Sequence, residues 1–164
     1  MKKINLIVSA LLTVTLILFF TSCKKEVPLT NEQKVEAALD AFVAKLVADP
    51  PTAANISDRV KDYLVTNATF FFGSTVTLLD AQGVATFSPY WYRANNSVAV
   101  KNLAEASYHI NDQLWLRKPI DEGKSIWTDP YFDTGGGNIQ MKSRVVPVFI
   151  NGKIIAVATT DLAL

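Results

Sequence analysis

The sequence predicts an α+β fold, an antiparallel sheet with helices packed to one side. Three observations carry it. Apolar residues between Val35 and Val47 recur at helical intervals, β-branched and aromatic residues crowd Phe70 to Leu79, and Asn151-Gly152 separates two apolar runs near the C-terminus.

The N-terminus comes first and belongs to no fold. Lys2 and Lys3 precede an apolar stretch from Ile4 to Phe20, interrupted by Asn5, Ser9, Thr13 and Thr15. A basic start and a short apolar core describe an export signal, and the run is marginal for a permanent span of roughly 20 apolar residues. It ends in Phe20-Thr21-Ser22-Cys23, which resembles a bacterial lipobox with Phe20 in place of the usual Leu. Cys23 is the single cysteine, so no internal disulfide can form. Residues 1–22 are therefore expected to be a lipoprotein signal peptide. Cys23 is the expected lipidation site, and residues 23–30 form a tether reaching at most about 25 Å. Lys24, rather than Asp, after the cysteine favours the outer membrane, and the folded part faces the periplasm or the exterior.

The elements follow in order. Thr30-x-x-Gln33 has capping-box spacing and opens a helix whose inward residues are Val35, Leu39, Phe42, Val43, Leu46 and Val47, stopped by Pro50 and Pro51. A second helix is expected over Ser57–Asn67, with Val60 and Leu64 inward. Phe70–Leu79 reads as a strand, Asp80–Gly83 as a turn, and Val84–Phe87 as the return strand. Val98–His109 reads as a further helix with Val98, Leu103 and Ala106 inward. Residues 111–138 read as loop and short elements, ending in Gly135-Gly136-Gly137. Ile139–Ile150 and Lys153–Leu162 form a hairpin, because Asn151-Gly152 suits a two-residue turn that needs positive φ at both positions.

Composition excludes several functions. Without residues 1–22 the 164-residue chain keeps 142 residues, and two of its 16 basic residues leave, so 14 basic residues face 15 acidic ones. A net charge of −1 offers no footprint for nucleic acid and no polybasic patch for lipid headgroups. A chain of this size buries about two-thirds of its unfolded surface without staples. His109 is the sole histidine, so zinc ligands and a Cys–His catalytic pair lack their parts. Asp129, Asp133 and Asn138 offer oxygen ligands but match no calcium-loop spacing. No metal, no cofactor and no enzyme activity is expected.

The run Trp127-Thr128-Asp129-Pro130-Tyr131-Phe132-Asp133-Thr134-Gly135-Gly136-Gly137-Asn138, the Val146-Pro147-Val148 strand, Asn151-Gly152-Lys153 and Thr160-Asp161-Leu162 resemble the C-terminal half of a Cache domain. Cache domains are PAS-like extracytoplasmic sensors. The wording is similar to those preceding bacterial serine phosphatases and histidine kinases. Phe87 to Arg93 and Tyr108 to Trp115 fall in the order of that family, so the resemblance spans roughly 30–164. It implies a PAS-like antiparallel sheet with a long N-terminal helix, and one Cache-like domain over residues 31–164.

The resemblance also implies a site. Amino-acid-binding Cache domains read a ligand carboxylate with an Arg two residues before a Trp-Tyr pair, and the ammonium with a later Asp. Asp133 stands at that Asp and Trp115 at the Trp, but Gln113 replaces the Arg and Leu116 the Tyr. The ammonium half of the signature survives, and loss of a bidentate guanidinium is not conservative. Asp133, Tyr131, Trp115 and Gln113 are the candidate ligand-binding residues, with Arg93 or Arg117 as substitutes for the missing Arg. The plainer alternatives are that Asp133 braces the glycine loop through backbone N–H groups, that Trp127 is core, that both arginines are surface residues, and that Asp161 bonds backbone at the end of the last strand. In the usual receptor the module leads into a second module, a membrane helix and an output domain, whereas this sequence stops three residues after Asp161. The expected function is a lipid-anchored sensor for a small polar ligand, an amine or amino-acid-like molecule, acting through a separate envelope signalling protein. Its competitors are a protein-interaction module with a degenerate pocket and the remnant of a longer sensor kinase or phosphatase.

Overall fold

Thr30 closes the first turn of helix α1 (Asn31–Ala48) with the expected capping box. Its Oγ1 accepts from Gln33 N at 3.2 Å, and Gln33 Oε1 accepts from Thr30 N at 2.9 Å. The computed structural model describes residues 28–164, so the expected signal peptide over 1–22, the expected lipidation site Cys23 and most of the expected tether lie outside the described residues. Val35, Leu39, Phe42 and Leu46 are buried along one stripe of α1, while Val47 turns outward. Helix α2 (Ile56–Thr66) buries Ile56, Val60, Tyr63 and Leu64 against it, with Phe42 stacked on Tyr63 at 4.5 Å between ring centroids. Arg59 donates to Lys45 O and Asp49 O and so satisfies carbonyls at the end of α1.

The sheet has eight strands: β1 (Phe71–Leu79), β2 (Ala85–Phe87), β3 (Pro89–Ala94), β4 (Ser97–Asn102), β5 (Ile126–Trp127), β6 (Tyr131–Phe132), β7 (Gln140–Ile150) and β8 (Lys153–Ala163). Their order is β4-β3-β1-β8-β7-β5, with β2 added to β1 and β6 to β7. Every pairing is antiparallel. The β7–β8 hairpin turns at Asn151 and Gly152, both at positive φ (50° and 78°). Pro147 sits in β7 beyond the end of its pairing with β5, where no neighbouring strand asks for the missing N–H.

Residues 98–109 are not the expected helix. Asn95 and Asn96, at φ 44° and 63°, make a two-residue turn that folds β4 back along β3 from Ala94↔Ser97 to Pro89↔Asn102. Two short 3₁₀ turns follow, at Ala106–Tyr108 and Ile110–Asp112. The third helix lies instead in the segment expected to be loop. Helix α3 (Leu114–Glu122) buries Trp115, Leu116 and Pro119 and stops at Gly123 in the left-handed conformation.

Strand alternation divides the interior between the sheet's two faces. Val76, Val146, Val148, Ala156 and Ala158 meet α1 and α2. Val145 and Val157 point the other way and pack with Tyr90, Leu103, Tyr108, Ile110, Trp115 and Leu116 under α3 and the 3₁₀ turns. The architecture is thus the α+β, PAS-like arrangement, with the two longer helices on one side and a thinner cover on the other. No described helix is long and apolar enough to cross a membrane.

Candidate functional site

On the face under α3 the sheet carries a polar row in its middle. The register places Tyr92 of β3, Gly73 of β1, Asp161 of β8 and Ser143 of β7 side by side. Thr75 pairs with Thr159 in the neighbouring row. Buried polar groups are stable only when hydrogen-bonded. Thr75 Oγ1 and Ser88 Oγ lie 3.0 Å apart, and Ser143 Oγ donates to Asp161 Oδ1 at 2.6 Å. Gly73 has to lack a side chain, because a Cβ there would overlap Tyr90 Oη.

The loop after β6 brings a second carboxylate onto this row. Asp133 is 5 % exposed; its Oδ1 accepts from Tyr108 Oη at 2.6 Å and its Oδ2 from Gly137 N at 2.6 Å. Its backbone also receives a hydrogen bond from Asn138 N at 2.9 Å, so one residue braces the glycine loop by side chain and main chain together. A Cβ on Gly136 would overlap Asp133 Oδ2, which is why the loop needs glycine there. Trp115 Nε1 in turn donates to Tyr108 Oη at 3.1 Å, giving a chain from Trp115 through Tyr108 to Asp133.

These groups enclose one small cavity. Tyr90, Tyr108, Trp115, Tyr131, Asp133 and Asp161 line it together with Ser143, Thr75, Thr159 and Leu103. Its volume is about 10 Å³ for the centre of a water-sized sphere, roughly the room of one water. Burial raises the Asp161 carboxyl to about 7, with the Asp133 charge adding to the rise and the Ser143 hydrogen bond opposing it. Burial also holds the Tyr90, Tyr108 and Tyr131 hydroxyls well above the usual phenol range, so they stay protonated. The Tyr90 hydroxyl, on a buried residue, makes no hydrogen bond of good geometry, and the group it lies beside is the Asp161 carboxyl.

Outside this cavity, between α3 and the β5–β6 connection, lies an open cleft of about 390 Å³. Trp115 and Tyr131 line both spaces and form the wall between them. Gln113, Lys118, Asp112 and Asp129 stand around the cleft.

The structure therefore brings Asp133, Tyr131 and Trp115 to one cavity and sets Gln113 at the adjoining cleft, where its Nε2 donates to Tyr108 O. The two arginines go elsewhere. Arg93 donates to Phe71 O, Leu64 O and Asn67 O, tying the end of α2 to β1. Arg117 donates to Gly83 O and pairs with Asp121. Asp161 does not bond backbone as expected; its carboxylate faces Ser143 and the cavity. Thr75, Tyr90, Leu103, Tyr108, Ser143, Thr159 and Asp161 complete the wall and are absent from the candidate ligand-binding set. The alternation along β3, β7 and β8 held part of that signal, because it puts Tyr90, Ser143 and Asp161 on inward-facing positions. Among the described residues no group of three His, Cys, Asp or Glu side chains is placed to hold a metal ion.

Comparison with known proteins fits this architecture. The extracellular domain assigned to histidine kinase soHK1S-Z6 superimposes with a TM-score of 0.65 at 24% identity, over 79% of this chain and 52% of that one. The ligand-binding domain of the Pseudomonas aeruginosa PAO1 amino acid chemoreceptor PctC, in complex with GABA, gives 0.57 at 20% identity, over 79% and 55%. That of the Campylobacter jejuni chemoreceptor Tlp3, in complex with L-valine, gives 0.58 at 16% identity, over 77% and 50%. At such identities the likeness is one of fold, and the chain spans about half the length of each of these structures. No curated protein matches the sequence. The sequence model described as "Methyl-accepting chemotaxis protein-like, first PDC sensor domain" matches residues 56–164, more than half of the chain. The chain belongs to that family of Cache-type sensor domains.

Proposed function

We propose that this chain is a lipid-anchored extracytoplasmic sensor that binds a small polar ligand in the cavity behind Trp115 and Tyr131. Occupancy is then passed to a separate membrane partner. The observation that supports the reading is the convergence of Asp133, Asp161, three tyrosines and Trp115 on one cavity beside an open cleft. Ligand sites combine an apolar wall with a few placed polar groups, and this wall has that character. PctC with GABA and Tlp3 with L-valine are sensors of the same fold carrying small polar ligands. The cavity is too small for such a molecule in the present shape, so binding requires Trp115 and Tyr131 to give way toward the cleft. A ligand that favours the wider shape shifts the population by its differential affinity.

The test is a thermal-shift screen of the full chain with amines, amino acids and organic acids, repeated on Asp133→Ala. Stabilisation by one class, lost in the variant, supports the reading; no response to any of them rules it out. The small cavity itself favours a second reading, a degenerate pocket on a module that docks another envelope protein. Co-purification of one partner from membranes, with no response in the screen, would establish that alternative.

A further inference from the structure

On the α1 side, one end of the sheet is left uncovered. Lys142 of β7 meets Glu32 of α1 at 2.6 Å. One helical turn further on, Glu36 accepts from Trp127, the strand partner of Arg144, at 2.8 Å. Helix and strand therefore run side by side in step, but α1 begins at Asn31 and has no earlier turn to lay over the row at Gln140. That row consists of Phe132 of β6, Gln140 of β7 and Leu164 just past β8. Phe132 pairs with Gln140, and Leu164 N donates to Gln140 O at 3.0 Å.

Alternation puts this row on the same face as Lys142 and Leu162, the pair next to it. Leu162 is buried under the helices, whereas Phe132 is 57 % exposed and Leu164 62 %. Leu29, 53 % exposed, lies in the segment by which the chain enters α1 at this end. Exposed apolar side chains standing singly are ordinary, but a group of them in one place marks a contact surface. The row carries no charged side chain, and Lys142 behind it is neutralised by Glu32.

The chain in front of α1 says what covers this surface. Cys23 stands six residues before Leu29, a reach of at most about 20 Å. Resting on the lipid-anchored reading above, we propose that this end of the sheet is a second membrane contact. Phe132, Leu164 and Leu29 enter the boundary between headgroups and acyl chains of the bilayer that holds the lipid, as the apolar faces of interfacial segments do. A protein partner would need about 800 Å² of this chain's surface, more than three side chains supply. A bilayer needs no such area once the lipid is in place, because the tether makes the second contact intramolecular, at an effective concentration on the order of millimolar. The contact gives the domain one orientation instead of leaving it to swing, and it turns the Asn151-Gly152 end of the β7–β8 hairpin away from the membrane.

The test uses the lipidated full chain in vesicles of phosphatidylethanolamine and phosphatidylglycerol that contain a nitroxide-bearing phosphatidylcholine. Acylation blocks Cys23, so Phe132→Cys, Leu164→Cys and Lys153→Cys each offer one thiol to a polarity-sensitive fluorophore. The nitroxide lipid should quench the labels at 132 and 164 and their emission should shift to shorter wavelength. The label at 153, exposed beside the hairpin turn at the far end of the sheet, should behave as in water. Adding Phe132→Asp should abolish quenching at 164, while the protein stays on the vesicles and keeps its wild-type circular dichroism. Equal emission from all three labels on a vesicle-bound protein would overturn the contact and leave the anchor standing. A free Cys23 thiol on protein that stays off the vesicles would overturn the anchor and the contact together. Disulfide-linked dimers of Phe132→Cys, with the label at 164 unquenched by lipid, would give the surface to a second copy of the chain and overturn the membrane contact.

Discussion

Asp161 is the residue on which the charge of the cavity turns. Its folded-state carboxyl sits near 7 because it is buried and faces Asp133, whereas in the unfolded chain it titrates near about 4. Between those values the folded state holds a proton the unfolded state has lost. The Asp161 contribution is therefore fully present below about pH 4, falls as pH rises toward about 7, and is constant above that. Asp161→Asn keeps the acceptor for Ser143, offers a donor to Tyr90 and removes the charge. Its thermal midpoint should exceed that of the wild type at pH 8, and the difference should shrink steadily down to about pH 4; scanning calorimetry across that range measures it. Gly136→Ala acts at the other carboxylate. The added methyl collides with Asp133 Oδ2 and forces apart the Gly137–Asp133 hydrogen bond, so a loss of about 1–3 kcal/mol is expected in denaturant unfolding.

Among elements, α1 is the one whose boundaries follow most directly from local chemistry. Thr30→Ala removes one half of the capping box and should cost about 1 kcal/mol in urea unfolding; Gln33 and its reciprocal bond would stay in place. The same local logic made α2, β1 and the Asn151-Gly152 hairpin legible in the sequence. It misread residues 98–109 because Val98, Leu103 and Ala106 fit a helical stripe. The competing signal was Asn95-Asn96, two residues tolerant of positive φ between Arg93-Ala94 and Ser97-Val98. Helix α3 was hidden for a different reason. It is short, and Pro119 interrupts its pattern. The candidate site was half legible: Trp115, Tyr131 and Asp133 lie within one short stretch of chain. Asp161 and Tyr90 join them only through strand pairing across β3, β1, β8 and β7, which is a long-range register that no local motif displays.

At the scale of the whole molecule the sheet separates two tasks. The α1–α2 side is densely apolar and holds the fold together. The α3 side holds the polar row, the cavity and the cleft, under a thinner cover. On the proposed anchoring, Cys23→Ser should move the protein from the membrane fraction to the soluble fraction and abolish palmitate labelling, with the thermal midpoint of the folded part unchanged. Wild-type behaviour of the variant in fractionation would remove the lipid from the account.

The bond from Trp115 to Tyr108 also makes the protein its own optical probe. Of the three tryptophans, Trp91 is fixed to Ser57 under Lys61 and Trp127 to Glu36, both away from the cavity. Only Trp115 borders it, and its indole N–H ends in the Tyr108–Asp133 chain. On the proposed binding, a molecule that enters would displace that indole from a buried setting toward the open cleft, and its emission should shift to longer wavelength. A single-tryptophan variant retaining Trp115 would thus report occupancy by its colour, with no label attached.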